Sequence, residues 1–122
     1  MEHTFPMTLG RLITALKQFD PDDGLVLDFL DFVPGSLSSY RGYYDQLAVE
    51  PVNSGNTTVG QFLSECEAAV GKTFTGWKGG DYTMDEDTRV WVSEHGRAHS
   101  TAVVGVRQVG VRVVLDTAYL DW

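Results

Sequence analysis

The C-terminal third of the chain constrains the fold most strongly, because it holds three short segments rich in β-branched residues. They span residues 89–93, 101–107 and 111–116, with turn-forming residues between them. In the first segment, Val90 and Val92 fall on one face and Trp91 on the other. Arg107 and Arg112 interrupt the apolar runs of the other two. This pattern predicts an antiparallel β-meander.

Two amphipathic segments predict helices, and both begin with an N-capping threonine, Thr8 or Thr58. Gln61 lies at the capping-box offset from Thr58. The first helix is expected to end at Asp20, and Gly71 is expected to cap the end of the second. Ten apolar residues at helical spacing are expected to face the core: Leu9, Leu12, Ile13, Leu16, Phe19, Val59, Phe62, Leu63, Cys66 and Val70.

The two helix openings match each other, as TLGRLI at residues 8–13 and TVGQFL at residues 58–63. An internal duplication is one explanation. The match covers few positions, however, and capped helices share such openings in general. The sequence therefore favours two similar helix N-termini over a repeat.

Further strands are predicted at residues 24–32, after a Pro-Asp-Asp-Gly turn, and at residues 46–51. Two helices and several strands without a dividing linker predict one α+β domain over residues 1–122. In that domain, two helices pack on a mainly antiparallel sheet that ends in the β-meander.

The composition narrows the classes of function. The chain has 122 residues and a net charge of −8, which disfavours non-specific binding to nucleic acid or anionic membranes. It has no apolar run long enough to span a membrane and no basic-then-apolar start typical of a secretory signal. Cys66 is the single cysteine, so an internal disulfide is excluded and a cytoplasmic location is expected.

Two segments, residues 34–44 (PGSLSSYRGYY) and 71–87 (GKTFTGWKGGDYTMDED), follow neither a strand nor a helix period. They are predicted to be irregular loops, which in small domains are often functional. Both combine aromatic rings with basic side chains and small polar residues. Rings stack on bases, whereas cations and exposed backbone N–H groups bind phosphates.

These two segments therefore predict one site for a phosphate-bearing nucleotide. Arg41, Lys72 and Lys78 are expected to neutralise phosphate. Asp81 is expected to accept a hydrogen bond from a ribose or a base. The full set of candidate ligand-binding residues is Ser39, Tyr40, Arg41, Tyr43, Lys72, Thr75, Trp77, Lys78, Gly79, Gly80, Asp81 and Tyr82.

Two other interpretations of the segments stay open. In the first, the tyrosines only cover an edge of the core, the Gly79-Gly80 pair only forms a turn, and Lys72 only complements a helix C-terminus. In the second, the acidic surface contacts a basic host protein, and the chain acts as an inhibitor or adaptor.

Sequence patterns for metal binding and catalysis are incomplete. His95 and His99 lack an evident third ligand, and the stretch 81–92 lacks the glycine and the final glutamate of an EF-hand, although a weak divalent-ion site there stays open. Gly71-Lys72-Thr73 follows a helix instead of preceding one, so it is not a P-loop. No cofactor, metal or catalytic group is predicted, although a nucleotide hydrolase stays open.

The chain resembles small proteins encoded by tailed bacteriophages. The resemblance lies in residues 7–13 followed by Asp20-Pro21-Asp22, in residues 39–44 and in residues 71–87. It implies a location in the cytoplasm of the bacterial host, and it carries no established activity with it.

Some small phage proteins are anti-defence sponges, which sequester nucleotide signals made by systems such as Thoeris or CBASS. By analogy with them, the sequence predicts a non-enzymatic homo-oligomer that binds and sequesters a cyclic nucleotide.

Overall fold

A computed structural model describes residues 5–29, 32–40, 43–53, 55–75, 79–93 and 100–120. Within these ranges the elements are α1 (Leu9–Leu16), β1 (Gly24–Leu27), β2 (Val33–Tyr40), β3 (Tyr43–Val52), α2 (Val59–Ala69), β4 (Thr73–Thr75), β5 (Asp81–Thr83), β6 (Val90–Val92), β7 (Ser100–Val109) and β8 (Arg112–Leu120). Six strands form one sheet in the order β1-β8-β7-β6-β3-β2, and β4 pairs with β5 separately. This arrangement confirms the predicted α+β class.

The large sheet is mixed and curled. Strands β6, β7 and β8 form the predicted antiparallel meander, and β2–β3 is a second antiparallel hairpin. The pairs β1–β8 and β3–β6 are parallel. Strands β1 and β2 lie at opposite ends of the strand order, yet they approach each other, and the Leu27 N–H donates to the Phe32 carbonyl at 2.7 Å. The sheet therefore curves around the core.

Both helices pack on the same face of the sheet. Their fully buried residues join alternate strand residues such as Val90 and Val92 in one core, whereas Trp91 lies on the opposite face. Six of the ten predicted core positions are buried, and Ile13, Phe19 and Leu63 are partly buried: the six are Leu9, Leu12, Leu16, Val59, Phe62 and Cys66. The prediction for Val70 is wrong, since α2 ends at Ala69 and leaves Val70 37% exposed.

Several predicted boundaries need correction. Helix α1 ends at Leu16, before the predicted end at Asp20, and residues 71–87 are not an irregular loop throughout, because they contain β4 and β5. Residues 34–44 are not an irregular loop, because they contribute most of β2 and the beginning of β3. Two register shifts, between Pro34 and Leu37 and between Ser39 and Tyr40, break the alternation that identifies a strand. The predicted strand 24–32 is also too long, since β1 ends at Leu27.

The chain contains two equivalent structural units. The first consists of α1, a turn at residues 20–23, β1 and the β2–β3 hairpin. The second consists of α2, a turn at residues 85–88, β6 and the β7–β8 hairpin. In both turns an aspartate side chain accepts from the backbone two residues later: Asp20 from Asp22 at 2.9 Å, and Asp85 from Asp87 at 2.8 Å.

Each helix N-terminus docks on the turn of the other unit. The Gly10 N–H donates to the Glu86 carbonyl at 2.9 Å, and the Gly60 N–H donates to the Pro21 carbonyl at 2.9 Å. The parallel strand pairs follow the same exchange, because β1 pairs with β8 and β6 pairs with β3. The matching helix openings therefore occupy equivalent positions in an internal two-fold arrangement. The two short matching openings favoured two similar helix N-termini over a repeat, so this arrangement was not expected from the sequence.

One element interrupts the two-fold arrangement. The first residue of α1 precedes the turn residue Asp20 by 11 positions, whereas the first residue of α2 precedes Asp85 by 26. Most of the difference is the β4–β5 hairpin, which has no counterpart among the described residues between α1 and Asp20. This inserted hairpin lies within the segment 71–87 that the sequence marks as unusual.

Candidate functional site

The inserted β4–β5 hairpin is held at its base by α2 and the core. Gly71 follows α2 with a φ of +79°, as expected of a helix-terminating glycine. The Gly71 N–H donates to the Met84 carbonyl at 2.8 Å, and the Met84 N–H donates to the Lys72 carbonyl at 2.9 Å. Because the Met84 side chain is fully buried, it anchors the hairpin to the core.

The hairpin has one polar and one aromatic face. Thr73 pairs with Thr83 through hydroxyl groups 2.9 Å apart, and the Thr75 hydroxyl donates to an Asp81 carboxylate oxygen at 3.3 Å. These four side chains are exposed. Phe74 lies opposite Tyr82 across the hairpin, and both rings are partly buried against the core.

The partner of Phe74 is Tyr82, which also lies beside the hairpin's glycines. Gly79 and Gly80 adopt φ values of +90° and +84°, a conformation that residues with a side chain rarely take. A Cβ added at Gly80 would lie 3.5 Å from the Tyr82 hydroxyl. Two consecutive glycines with positive φ keep this backbone free of side chains, so an anion can approach its N–H groups.

Lys72 supplies a positive charge at the base of the hairpin. Its Nζ lies 5.0 Å from the centroid of the Phe74 ring, which is cation–π distance. The ammonium group therefore lies above the Phe74 ring, on the hairpin's aromatic face. Lys72 is exposed, so the charge is accessible to a ligand.

The two segments singled out in the sequence lie near each other, as β4 lies beside β2 and β5 beside β3. Their described rings, however, belong to different clusters. Tyr40 stacks on Trp91, with ring centroids 5.1 Å apart and planes 7° apart, and is only 6% exposed. That cluster lies on the outer face of the large sheet, whereas Tyr82 packs against the helix-covered core. Base stacking on Tyr40 would require this internal stack to open.

Several of the predicted site residues lie outside the described residues. These are Arg41, Trp77 and Lys78, and the side chain of Tyr43 is also not described. Ser39, by contrast, lies at the end of β2 and is partly buried. The proximity of Arg41 to Lys78, on which the predicted site depends, therefore stays a prediction.

The acidic stretch after the hairpin builds a turn. The Asp85 carboxylate accepts from the Asp87 backbone, and the Asp85 N–H donates to the Thr88 hydroxyl at 2.9 Å. In the described part of the chain, no three His, Cys, Asp or Glu side chains are grouped as metal ligands. His95 and His99 lie outside the described residues.

Cys66 is not suited to nucleophilic chemistry. Its side chain is fully buried on α2. Burial raises the pKa of the thiol to about 12, and the neighbouring charges of Glu65 and Glu67 add to this shift. The reactive thiolate is therefore essentially absent at neutral pH.

A groove of about 490 Å³ lies between α2 and β2, lined in part by Pro34, Gln61 and Glu65. Among the described residues that line it, the one charged side chain is the acidic Glu65, and Gln61 is engaged in the capping box. This groove therefore does not suit an anionic ligand.

Among the described residues, no helix has both the length and the apolar character needed to cross a membrane. Comparison with known proteins does not assign the chain to a family, since no family model, curated protein or solved structure matches it.

Proposed function

We propose that this protein binds a phosphate-bearing nucleotide without converting it, on the surface where the β4–β5 hairpin meets the β2–β3 hairpin. The observation that carries the proposal is the position of the inserted hairpin. It is the element added to one of two otherwise equivalent units, and it lies beside the other segment with aromatic and basic residues. An insertion into a repeated scaffold is a common place for a binding site.

The chemistry of the hairpin supports an anionic ligand. Lys72 carries a positive charge in a chain of net charge −8, and the backbone at Gly79-Gly80 is open to close approach. Each charge-assisted hydrogen bond contributes about 1.5–3 kcal/mol. Nanomolar affinity corresponds to about 12 kcal/mol, so stacking and burial must supply a large part of the total. Trp77 is proposed to stack on a base, and Arg41 and Lys78 are proposed to pair with phosphate alongside Lys72.

We further propose that the protein is a phage anti-defence sponge that acts in the host cytoplasm and sequesters a cyclic nucleotide signal. The resemblance of residues 39–44 and 71–87 to tailed-phage proteins supports this role. A homo-oligomer with the ligand held near a subunit interface is part of the same proposal.

Isothermal titration calorimetry tests the binding directly. The panel consists of cyclic dinucleotides, cyclic trinucleotides and ADP-ribose derivatives, titrated into the folded protein at fixed salt. Lys72→Gln and Lys78→Ala are each expected to weaken binding at least tenfold. Arg11→Gln, which removes an exposed charge on α1, is the matched control and is expected to bind like the wild type. Absence of heat with every nucleotide would refute the proposal.

Chromatography of the nucleotide after incubation separates binding from turnover, because a sponge returns its ligand intact. Accumulation of a product with time would instead establish a hydrolase.

Charge reversal at Glu86 and Asp87 separates nucleotide binding from the alternative role as an acidic inhibitor or adaptor. These reversals are expected to leave nucleotide binding unchanged. If they abolish the protein's effect in infected cells while Lys72→Gln and Lys78→Ala do not, the adaptor role is established instead.

A further inference from the structure

The groove between α2 and β2 is separate from the surface proposed for the nucleotide, because no residue of the inserted hairpin is among the described residues that line it. Those residues are Pro34, Gly35, Thr57, Gln61, Phe62, Ser64 and Glu65. Phe62 is only 1% exposed and belongs to the core. The groove therefore opens onto the edge of the hydrophobic core.

The internal two-fold arrangement identifies the equivalent place in the other unit. Thr57 directly precedes the N-cap of α2, as Met7 directly precedes the N-cap of α1. The Thr57 carbonyl accepts from the Leu25 N–H at 2.8 Å, and the Met7 carbonyl accepts from the Val90 N–H at 3.0 Å. Since Leu25 and Val90 begin the equivalent stretches of β1 and β6, Thr57 is the counterpart of Met7.

The neighbouring strands extend this correspondence to the wall of the groove. The Met7 N–H donates to the Val103 carbonyl on β7 at 2.7 Å. At the equivalent place, the Thr57 hydroxyl donates to the Pro34 carbonyl on β2 at 3.2 Å. Strands β7 and β2 occupy equivalent positions in the two units, so Pro34 is the counterpart of Val103.

In the other unit this place is filled by the chain itself. Met7 is partly buried and packs against the core, and Pro6 before it is buried. Thr57 has a shorter side chain than methionine, and Asn56 before it is exposed. The groove is therefore the space beside α2 that corresponds to the unbranched methionine chain beside α1.

The helix adds a negative charge at the same place. Glu65 lies seven positions after the N-cap of α2, and Ala15 lies seven positions after the N-cap of α1. Within the described parts of the chain, Glu65 takes part in no ion pair, whereas the nearby Glu67 pairs with Lys17 at 3.7 Å. No basic side chain is among the described lining residues, so nothing there neutralises the Glu65 carboxylate.

The uncharged polar groups of the lining also suit a hydrogen-bond donor. The Thr57 hydroxyl uses its hydrogen on Pro34, so its oxygen remains an acceptor for a ligand. The Ser64 hydroxyl lies one position before Glu65 and is exposed. An ammonium group has three donors and no acceptor, which matches a carboxylate flanked by hydroxyl oxygens.

We propose that this groove binds an unbranched alkylammonium cation. The alkyl chain lies on Pro34 and Phe62, in the place of the missing methionine chain, and the ammonium group pairs with Glu65. Burial of the alkyl chain and a charge-assisted hydrogen bond supply the affinity. This inference does not depend on nucleotide binding at the inserted hairpin.

Nuclear magnetic resonance titration of the ¹⁵N-labelled full chain tests the site with three probes. Pentylammonium carries both the chain and the charge, 1-pentanol carries the chain without the charge, and methylammonium carries the charge without the chain. Pentylammonium is expected to shift the amide signals of Gly35, Gln61, Ser64 and Glu65 in a saturable way. Methylammonium is expected to bind at least about tenfold more weakly, because it buries less apolar surface. Pentanol is expected to bind about fivefold more weakly, as the loss of a partly exposed ion pair predicts. Equal affinities of pentanol and pentylammonium, or no saturable shift, would overturn the proposal.

Three variants locate the binding. Thr57→Met copies Met7 and is expected to abolish binding by filling the groove. Glu65→Ala copies Ala15 and is expected to lower the affinity for pentylammonium to that for pentanol. Glu67→Ala removes the same charge from α2 outside the groove lining and is expected to bind like the wild type.

Glu65 is exposed, so Glu65→Ala keeps the proposal testable if Thr57→Met does not fold. Unchanged affinity for pentylammonium in Glu65→Ala overturns the proposal. Lys72→Gln is expected to leave pentylammonium binding intact, which separates failure of this site from failure of the nucleotide site.

Two further probes distinguish the sources of an alkylammonium group. Cadaverine represents a free diamine, and lysine blocked at both its amino and carboxyl ends represents a lysine side chain of another protein. Both are expected to bind in the same groove and to lose affinity in Glu65→Ala. The tighter of the two identifies the source, and failure of both to bind would overturn the proposal.

Discussion

The helix glycines Gly10 and Gly60 should each resist replacement by alanine, although alanine favours helices. Neither is among the described glycines with positive φ, so its backbone conformation does not require glycine. What requires it is the docking of each helix on the opposite turn. A Cβ at Gly10 would lie 3.1 Å from the Glu86 Cβ and 3.2 Å from the Glu86 carbonyl oxygen. A Cβ at Gly60 would meet the same atoms of Pro21 at the same two distances.

The size of the effect follows from two opposing contributions. Unstrained carbon contacts lie at about 3.5–4.0 Å, so the facing turn must move by a few tenths of an ångström. Overpacking of this kind costs about 1–3 kcal/mol. Movement of the turn also stretches the 2.9 Å backbone hydrogen bond that each glycine donates, a bond worth about 0.5–1.5 kcal/mol. Alanine returns at most about 1 kcal/mol of helix propensity. The net expectation for each variant is a loss of about 1–2 kcal/mol.

Urea denaturation followed by circular dichroism measures the free energy of unfolding of Gly10→Ala and Gly60→Ala. Gly24→Ala is the control, since a Cβ there meets nothing within 4 Å, and it is expected to change stability by less than about 0.5 kcal/mol. The two helix variants should also lose similar amounts, because their surroundings are equivalent. An increase in stability in either variant would refute the close approach, and a large difference between them would refute the equivalence of the two units.

Three further outcomes are expected. Thr58→Ala removes the side-chain acceptor of a complete capping box and should cost about 1 kcal/mol in urea denaturation, against little change in the exposed Thr14→Ala. Tyr40→Ala removes one ring of the outer-face stack and should cost about 3 kcal/mol while shifting the emission of Trp91 to longer wavelength. The raised pKa of the Cys66 thiol should make the free energy of unfolding fall above pH 9, relative to Cys66→Ala, by about 1.4 kcal/mol per pH unit. The sign follows because the unfolded thiol loses its proton above its ordinary pKa of 9.0, whereas the buried thiol keeps its proton until about pH 12, so that high pH favours the unfolded chain.

The parts of the fold that depend on local signals were predictable. Thr8 and Thr58 mark both helix starts, and helical spacing identifies most of the core. Alternation identifies the meander and places Trp91 opposite Val90 and Val92. Strand β2 was missed because its register shifts disrupt the alternation on which strand prediction depends.

The two-fold arrangement was not predictable, because backbone hydrogen bonds between distant segments carry it. Its traces in the sequence are the paired glycines Gly10 and Gly60 and the paired turn residues Asp20 and Asp85. The inserted hairpin makes the distance in sequence from helix start to turn 15 positions longer in the second unit than in the first. This difference hides the correspondence of the paired residues. The candidate site was identified by composition alone, which says which groups are present and not which face each side chain takes. Composition therefore did not indicate that Tyr40, which was expected to contact a ligand, packs on Trp91 instead.

The exchange of docking partners between the two halves has a consequence for how the protein reaches its native state. The Gly10 N–H donates a hydrogen bond to a residue 76 positions away, and the Gly60 N–H donates to one 39 positions away. Neither half of the chain therefore contains the turn on which its own helix docks. A chain cut between β3 and α2 would yield fragments that complement each other and reassociate without a covalent link. At high concentration, two intact chains have the same bonds available to them through an intertwined dimer. Folding must then wait for non-local closure, which is slow compared with forming the helices.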